Sequence, residues 1–97
     1  MSAKICYAKG LAKNVAAKNI TVNTISPGTI FTEMLDPFIP AEKRDDFTRS
    51  KIPLWKNREG IPEGDMIGRV ALFFVSSLGD HVTGQDLQVN GGQDIHM

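Results

Sequence analysis

The stretch Asn19–Met34, NITVNTISPGTIFTEM, restricts the possible folds of this chain more than any other. Ile20, Val22 and Ile25, with Thr21 and Thr24, are β-branched residues that pack well on a pleated surface, so the segment is expected to open as a strand. That strand is expected to stop at Ser26. Pro27 has no N–H to donate, and Gly28 permits backbone angles that other residues avoid. A short apolar strand that breaks into Pro-Gly and then presents Thr29, Ile30 and Thr32 suits one purpose. It sets backbone amides and hydroxyls at the carboxyl end of a parallel strand, where α/β sheets bind their ligands.

The flanking segments fit such a sheet. Ser2 to Lys18 reads as a helix, because Ile5, Ala8, Leu11, Ala12, Val15 and Ala16 recur at threes and fours while Lys4, Lys9 and Lys13 take other faces. Residues 40–50 suit a short helix with Pro40 near the first turn and Glu42 early, where the helix dipole favours an acid. Ile61 to Ser77 is a second strong helix with Met66, Ile67, Val70, Ala71, Phe73 and Phe74 as a broad apolar face. Gly64 is expected to delay its start, and Gly79 to close it as a left-handed cap. Val82 to Asn90 reads as a strand, with Leu87 and Val89 alternating against Gln88 and Asn90.

Bulk properties exclude several classes. At 97 residues the chain is at most one small domain. Eleven basic and eleven acidic residues cancel, which gives no electrostatic case for nucleic acid or an anionic membrane. One cysteine, Cys6, forms no internal disulfide, and no apolar run approaches the length that spans a bilayer. A cytoplasmic protein is expected.

NITVNTISPGTIFTEM resembles the segment after the active-site helix of the short-chain dehydrogenase/reductase family, with its V-N-x-I-x-P-G-x-I-x-T pattern. VTGQDLQVNGG, from Val82 to Gly92, is similar to that family's last strand. The two occur in the right order with an amphipathic helix between them, and the likeness covers nearly the whole chain. It implies an α/β fold: the C-terminal part of a Rossmann-like doubly wound parallel sheet, arranged helix–strand–lid helices–helix–strand. Residues 1–97 would form a partial domain, with a helix at 1–18, a strand and Pro-Gly cofactor loop at 19–34, a substrate lid at 35–60, and the helix, last strand and tail at 61–97. Pro27, Gly28, Ile30 and Thr32 are implied contacts to NAD or NADP, Ile30 through backbone groups toward the carboxamide.

Departures from the family pattern matter as much. The signature Tyr-x-x-x-Lys is absent: Tyr7 is followed four residues on by Leu11, so it reads as an ordinary helix residue, and the family's lysine would fall at or next to Met1. The Gly-rich turn for the pyrophosphate is missing too. Gly64 is an addition to the family's helix, and Asn90 replaces an aspartate. Phe38, Ile39, Phe47, Leu54 and Trp55 either line an apolar substrate pocket or cover a small core of the lid, the second being the simpler reading. Glu42, Asp45 and Asp46 read as a solvated face. His81 and His96 lack neighbours at metal-ligand spacing, and no metal site is expected. Cys6 reads as a buried or half-buried thiol, and Ser26, Ser76 and Ser77 as locally hydrogen-bonded.

The expected function is therefore a portion of an NAD(P)-dependent oxidoreductase for an alcohol or carbonyl substrate, without catalytic residues of its own. Alone it should bind no substrate and possess no activity, and it need not bind cofactor. Parallel strands want neighbours on both sides, so a homo-oligomer or a complementing chain is expected. The alternative is a non-enzymatic oligomerisation or regulatory module from a truncated reading frame.

Overall fold

The computed structural model describes residues 2–31 and 39–95. Among these, helix α1 spans Ala3–Val15, strand β1 Thr24–Pro27, helix α2 Arg44–Lys51, helix α3 Asp65–Val75 and strand β2 Asp86–Val89. The class is α/β. The two strands pair with each other. The Thr24 amide donates to the Gln85 carbonyl at 2.8 Å and the Gly28 amide to that of Val89 at 3.0 Å. Both partners advance together along the sequence, so the strands are parallel. No helix among the described residues is long and apolar enough to cross a membrane.

The chain divides into two compact units, Met1–Ser26 with Arg69–Gln88, and Pro27–Gly68 with Val89–Met97. In the first, Ser2 caps α1 by accepting the Ile5 amide at 3.2 Å. Ala12 is the buried residue of α1, and the small side chain suits its position over Gly84: a Cβ on that glycine would lie 3.7 Å from the Ala12 Cβ. One turn earlier, the Lys9 ammonium donates to the Gly84 carbonyl at 2.6 Å. Leu11 and Ala16, expected on the buried face, are exposed, as is Tyr7. Cys6 is exposed as well, which corrects the expectation of a buried or half-buried thiol. After a 3-10 turn at Ala16–Lys18, Asn19 takes the left-handed conformation at φ 63° and its amide closes on the Ala16 carbonyl.

Both strands are shorter than their sequence patterns. At Val22 the amide bonds to the Thr83 hydroxyl, 3.1 Å, and the carbonyl accepts the Gly84 amide, 2.8 Å. The Asn23 side chain donates to the Val82 carbonyl and accepts the Gln85 amide, each at 3.1 Å. Residues 82–85 thus form a loop latched by side chains, with Gly84 at φ 71°, and regular pairing starts beyond it. At the other end β1 continues one residue further than expected, through Pro27. Amides alternate along a strand, and those of Thr24 and Gly28 both point to β2. Pro27 therefore has its nitrogen on the far side, where no bond to β2 is lost.

Asp86 joins the strands by its side chain. Its Oδ1 accepts from the Thr24 hydroxyl at 2.6 Å and the Ser26 hydroxyl at 2.7 Å. These two bonds, with a smaller contribution from the Lys9 charge, hold its carboxyl below the ordinary value of 3.8 despite partial burial.

Helix α3 starts at Asp65, four residues later than the apolar pattern, after a turn in which Gly64 accepts the Ile67 and Gly68 amides. Gly79 is not a left-handed cap. It is a buried member of a 3-10 turn at Ser77–Gly79, and a Cβ there would come within 2.6 Å of the Phe73 carbonyl oxygen. Close approach to the end of α3, rather than backbone angle, requires glycine.

In the second unit, Ile52 at 2% exposure, Phe31 at 5% and Trp55 at 9% form the apolar core. Each such side chain contributes about 2 kcal/mol by leaving water. Thr48 of α2 is fully buried beside them, and its hydroxyl has no hydrogen-bond partner. Glu42, Asp45 and Asp46 are exposed, as a solvated face requires.

Two outcomes follow from these side chains. Thr48→Val keeps the shape and removes a desolvated hydroxyl, so the urea midpoint should stay level or rise by the equivalent of about 1 kcal/mol. Asp86 has a lowered carboxyl value in the folded state, so its contribution is complete above 3.8 and disappears as pH falls through the lower folded value. Asp86→Asn should be less stable than the parent at pH 7, with a flatter loss of stability below about pH 4 in urea unfolding.

Candidate functional site

The residues that follow β1 lie in the second unit and run along a groove of about 580 Å³. Pro27, Gly28, Thr29 and Ile30 line it together with Ile39 and Ile67. The structure thus brings Pro27, Gly28 and Ile30 to one surface. Thr32 and Phe38 fall outside the described residues.

Gly28 is fixed by proximity. Its Cα packs so closely on Asn90 that an added Cβ would overlap the Asn90 Cβ and stand 2.9 Å from the Asn90 Cα. No side chain is tolerated there without moving backbone. The Thr29 amide then donates to the Gln93 side-chain oxygen at 3.2 Å. The Phe31 amide donates to the Pro62 carbonyl at 3.0 Å. Phe31 itself is buried edge-on against Phe47, with ring centres 6.1 Å apart, and the Arg44 guanidinium lies 5.3 Å from its ring centre.

Of the four amides from Gly28 to Phe31, three are thus engaged inside the protein. Ile30 is the exception: among the described residues neither its amide nor its carbonyl has a hydrogen-bond partner. A loop with its neighbours tied down presents one donor and one acceptor, from a single half-buried residue, on the wall of a groove. That pair is complementary to a planar carboxamide, which offers one acceptor and two donors.

Gln93 and Pro62 escaped the sequence reading. Nothing in the polar tail marks Gln93 as a latch, since its partner is a backbone amide 64 positions away. Asn90, where the family pattern has an acid, has a local role. Its side-chain oxygen accepts the Gly92 amide at 3.0 Å, and its amide group donates to Asp94 at 3.4 Å. A neutral acceptor suffices for that turn. Gly91 and Gly92 take φ of 62° and 87°, and a Cβ on Gly91 would meet Ile52 at 2.5 Å. The Gly91 carbonyl accepts the Leu54 amide at 2.9 Å, which ties the tail to residues 52–55.

The lid residues divide. Trp55 is buried and Phe47 packs on Phe31, as a small internal core requires, while Leu54 is 55% exposed and Ile39 faces the groove. His81 is exposed, and His96 lies outside the described residues. No group of three metal-ligating side chains occurs among the described residues.

Comparison with known proteins gives a consistent set of relatives. Residues 2–94 match a family model described as enoyl-(acyl carrier protein) reductase. The chain is 43% identical to a 3-oxoacyl-(acyl-carrier-protein) reductase FabG of Chlamydia pneumoniae over 91% of its length and 33% of that protein. It is 36% identical to an uncharacterized oxidoreductase, YmfI, of Bacillus subtilis over 89% of its length and 33% of the relative. With an acetoacetyl-CoA reductase of Shinella zoogloeoides it shares 38% identity over 90% of its length and 34% of that protein. The chain spans about a third of the length of the curated relatives it matches.

Gly28→Ala should cost about 2–3 kcal/mol in urea unfolding, because Asn90 backbone must shift to admit the methyl group. Gln93→Leu, which merely strands the Thr29 amide, should cost about 1 kcal/mol in the same measurement.

Proposed function

This chain belongs to the short-chain dehydrogenase/reductase family, and we propose that it forms the carboxy-terminal part of a Rossmann-like doubly wound sheet in an NAD(P)-dependent oxidoreductase. The observation that carries this reading is the paired donor and acceptor of Ile30, set on the wall of the groove that Pro27 and Gly28 also line. Its position at the carboxyl end of a parallel strand is where α/β sheets take their ligands. The groove lies within the range of about 300–1,000 Å³ common for small-molecule sites.

In this reading Pro27 and Gly28 bring the backbone up to the nicotinamide, Ile30 holds its carboxamide, and Thr32 adds a contact from the same loop. A bound nicotinamide would supply or accept the hydride. The contribution of this chain is orientation: the Gly28–Asn90 contact and the Gln93 and Pro62 bonds fix the loop, so little order is lost when a ligand binds. The names of the relatives suggest a 3-oxoacyl thioester as substrate of the complete enzyme.

Proton transfer to the substrate oxygen needs the family's tyrosine, lysine and serine, and the pyrophosphate needs a Gly-rich turn. These 97 residues contain neither Tyr-x-x-x-Lys nor that turn. The reading therefore takes them from other polypeptide, whether continuous with this chain or on a partner. Support comes from apolar side chains that meet water: Leu72 is 66% exposed, Val75 81% and Leu78 76%. A homo-oligomer or a complementing chain would cover them.

The purified 97-residue chain should not reduce an acetoacetyl thioester with NADH or NADPH, and measurable turnover would refute its need for supplied residues. Native mass spectrometry with and without NAD(P)H tests the rest. A complex with a heavier chain that carries cofactor is expected; a bare homo-oligomer indifferent to cofactor would favour a non-enzymatic oligomerisation module.

A further inference from the structure

Within the second unit lies a second cavity, of about 100 Å³, walled by Ile52, Trp55, Pro62 and Met66. Its size, its charge and its neighbours together narrow what it can hold. A cavity of roughly 150 Å³ admits benzene, so this one admits about four carbon-sized atoms. Arg58 is among its lining residues, and no Asp or Glu is. The guanidinium lies 5.6 Å from the centre of the Trp55 ring, an arrangement that holds a cation in place by the ring's negative face.

Arg58 is exposed, so the cavity opens to water beside a fixed positive charge. Of the two neutral polar side chains in the lining, Thr29 and Asn90, that of Asn90 is occupied with the Gly92 amide and with Asp94. An apolar recess with room for about four carbon-sized atoms, a guanidinium in its lining and no Asp or Glu there matches one ligand class.

We propose that this cavity is a binding site for a short aliphatic carboxylate of about four carbons. The alkyl chain lies among Ile52, Trp55 and Met66, and the carboxylate pairs with Arg58, whose planar fork suits two parallel hydrogen bonds. Thr29 and Ile30 line both this cavity and the larger groove. A bound carboxylate therefore touches the loop that presents the Ile30 donor and acceptor. The site itself does not depend on the cofactor reading, since it is defined by side chains that face the small cavity alone.

Trp55 is the chain's sole tryptophan and forms a wall of the cavity, so its emission reports occupancy directly. Titration of the purified protein with sodium butyrate should change Trp55 fluorescence saturably in the millimolar range, while decanoate at the same concentrations should not. Arg58→Gln should weaken the butyrate response at least about tenfold and leave the response to neutral butyramide unchanged, because only the charge pair is lost. Emission indifferent to butyrate up to about 50 mM would overturn the site. Decanoate binding as well as butyrate would overturn the size limit, and an undiminished butyrate response in Arg58→Gln would overturn the role of the guanidinium. The chain-length series uses the unaltered protein, so it decides the matter even if the variant fails to fold. None of these readings involves NAD(P)H, and a failure here leaves the cofactor groove to be judged by its own experiment.

Discussion

Parallel pairing between β1 and β2 joins residues 61 positions apart, and the rest of the described structure depends on that closure. Bringing together the ends of a segment so long costs several kcal/mol of chain entropy before a contact forms. Two four-residue strands offer few ladder bonds in return, and an isolated pair of strands is marginal in water. Other interactions make up the difference. Asp86 receives two hydroxyls from β1, Asn23 and Thr83 knit the loop before β2, and Lys9 reaches from α1 to the Gly84 carbonyl. Side chains thus hold the register in the first unit where the backbone ladder is short.

The second unit is organised differently. Close approaches at glycine and long-range bonds between backbone groups join its segments. Gly28 lies on Asn90, Gly91 on Ile52, and the carbonyls of Pro62 and Gly91 each receive an amide from a distant segment. What this produces at the groove is selectivity by elimination. Among the described residues the amides of Gly28, Thr29 and Phe31 all have partners, so the donor and acceptor of Ile30 stand out against a satisfied background.

The sequence revealed most where period and punctuation agree. The helix at α1, the break at Pro27-Gly28, the short helix after Pro40 and the order helix–strand–helix–strand could all be read from spacing. Ends were read less well, because they are settled by partners that spacing does not show. Nothing around Val82 indicates that Asn23 will hold residues 82–85 out of the strand, and nothing around Pro27 tells which way its nitrogen points. Gly79 looked like a cap and is a packing glycine, a difference visible only once the Phe73 carbonyl is beside it. Around the groove, the break of the chain at Pro27-Gly28 was legible through motif, whereas Gln93 and the Pro62 carbonyl act through long-range bonds that no motif encodes.

Pro27 has an effect beyond its own bond. The edge of β1 turned away from β2 would present a row of unpaired donors and acceptors, the usual template for recruiting a foreign strand. A proline at the end of that row interrupts it just where the groove loop begins. Lateral growth of the sheet along this edge would run out of donors before it reached Gly28. The same residue that ends β1 thus protects the loop from being drawn into an intermolecular ladder, and an aggregate seeded on this edge would leave the groove residues outside it.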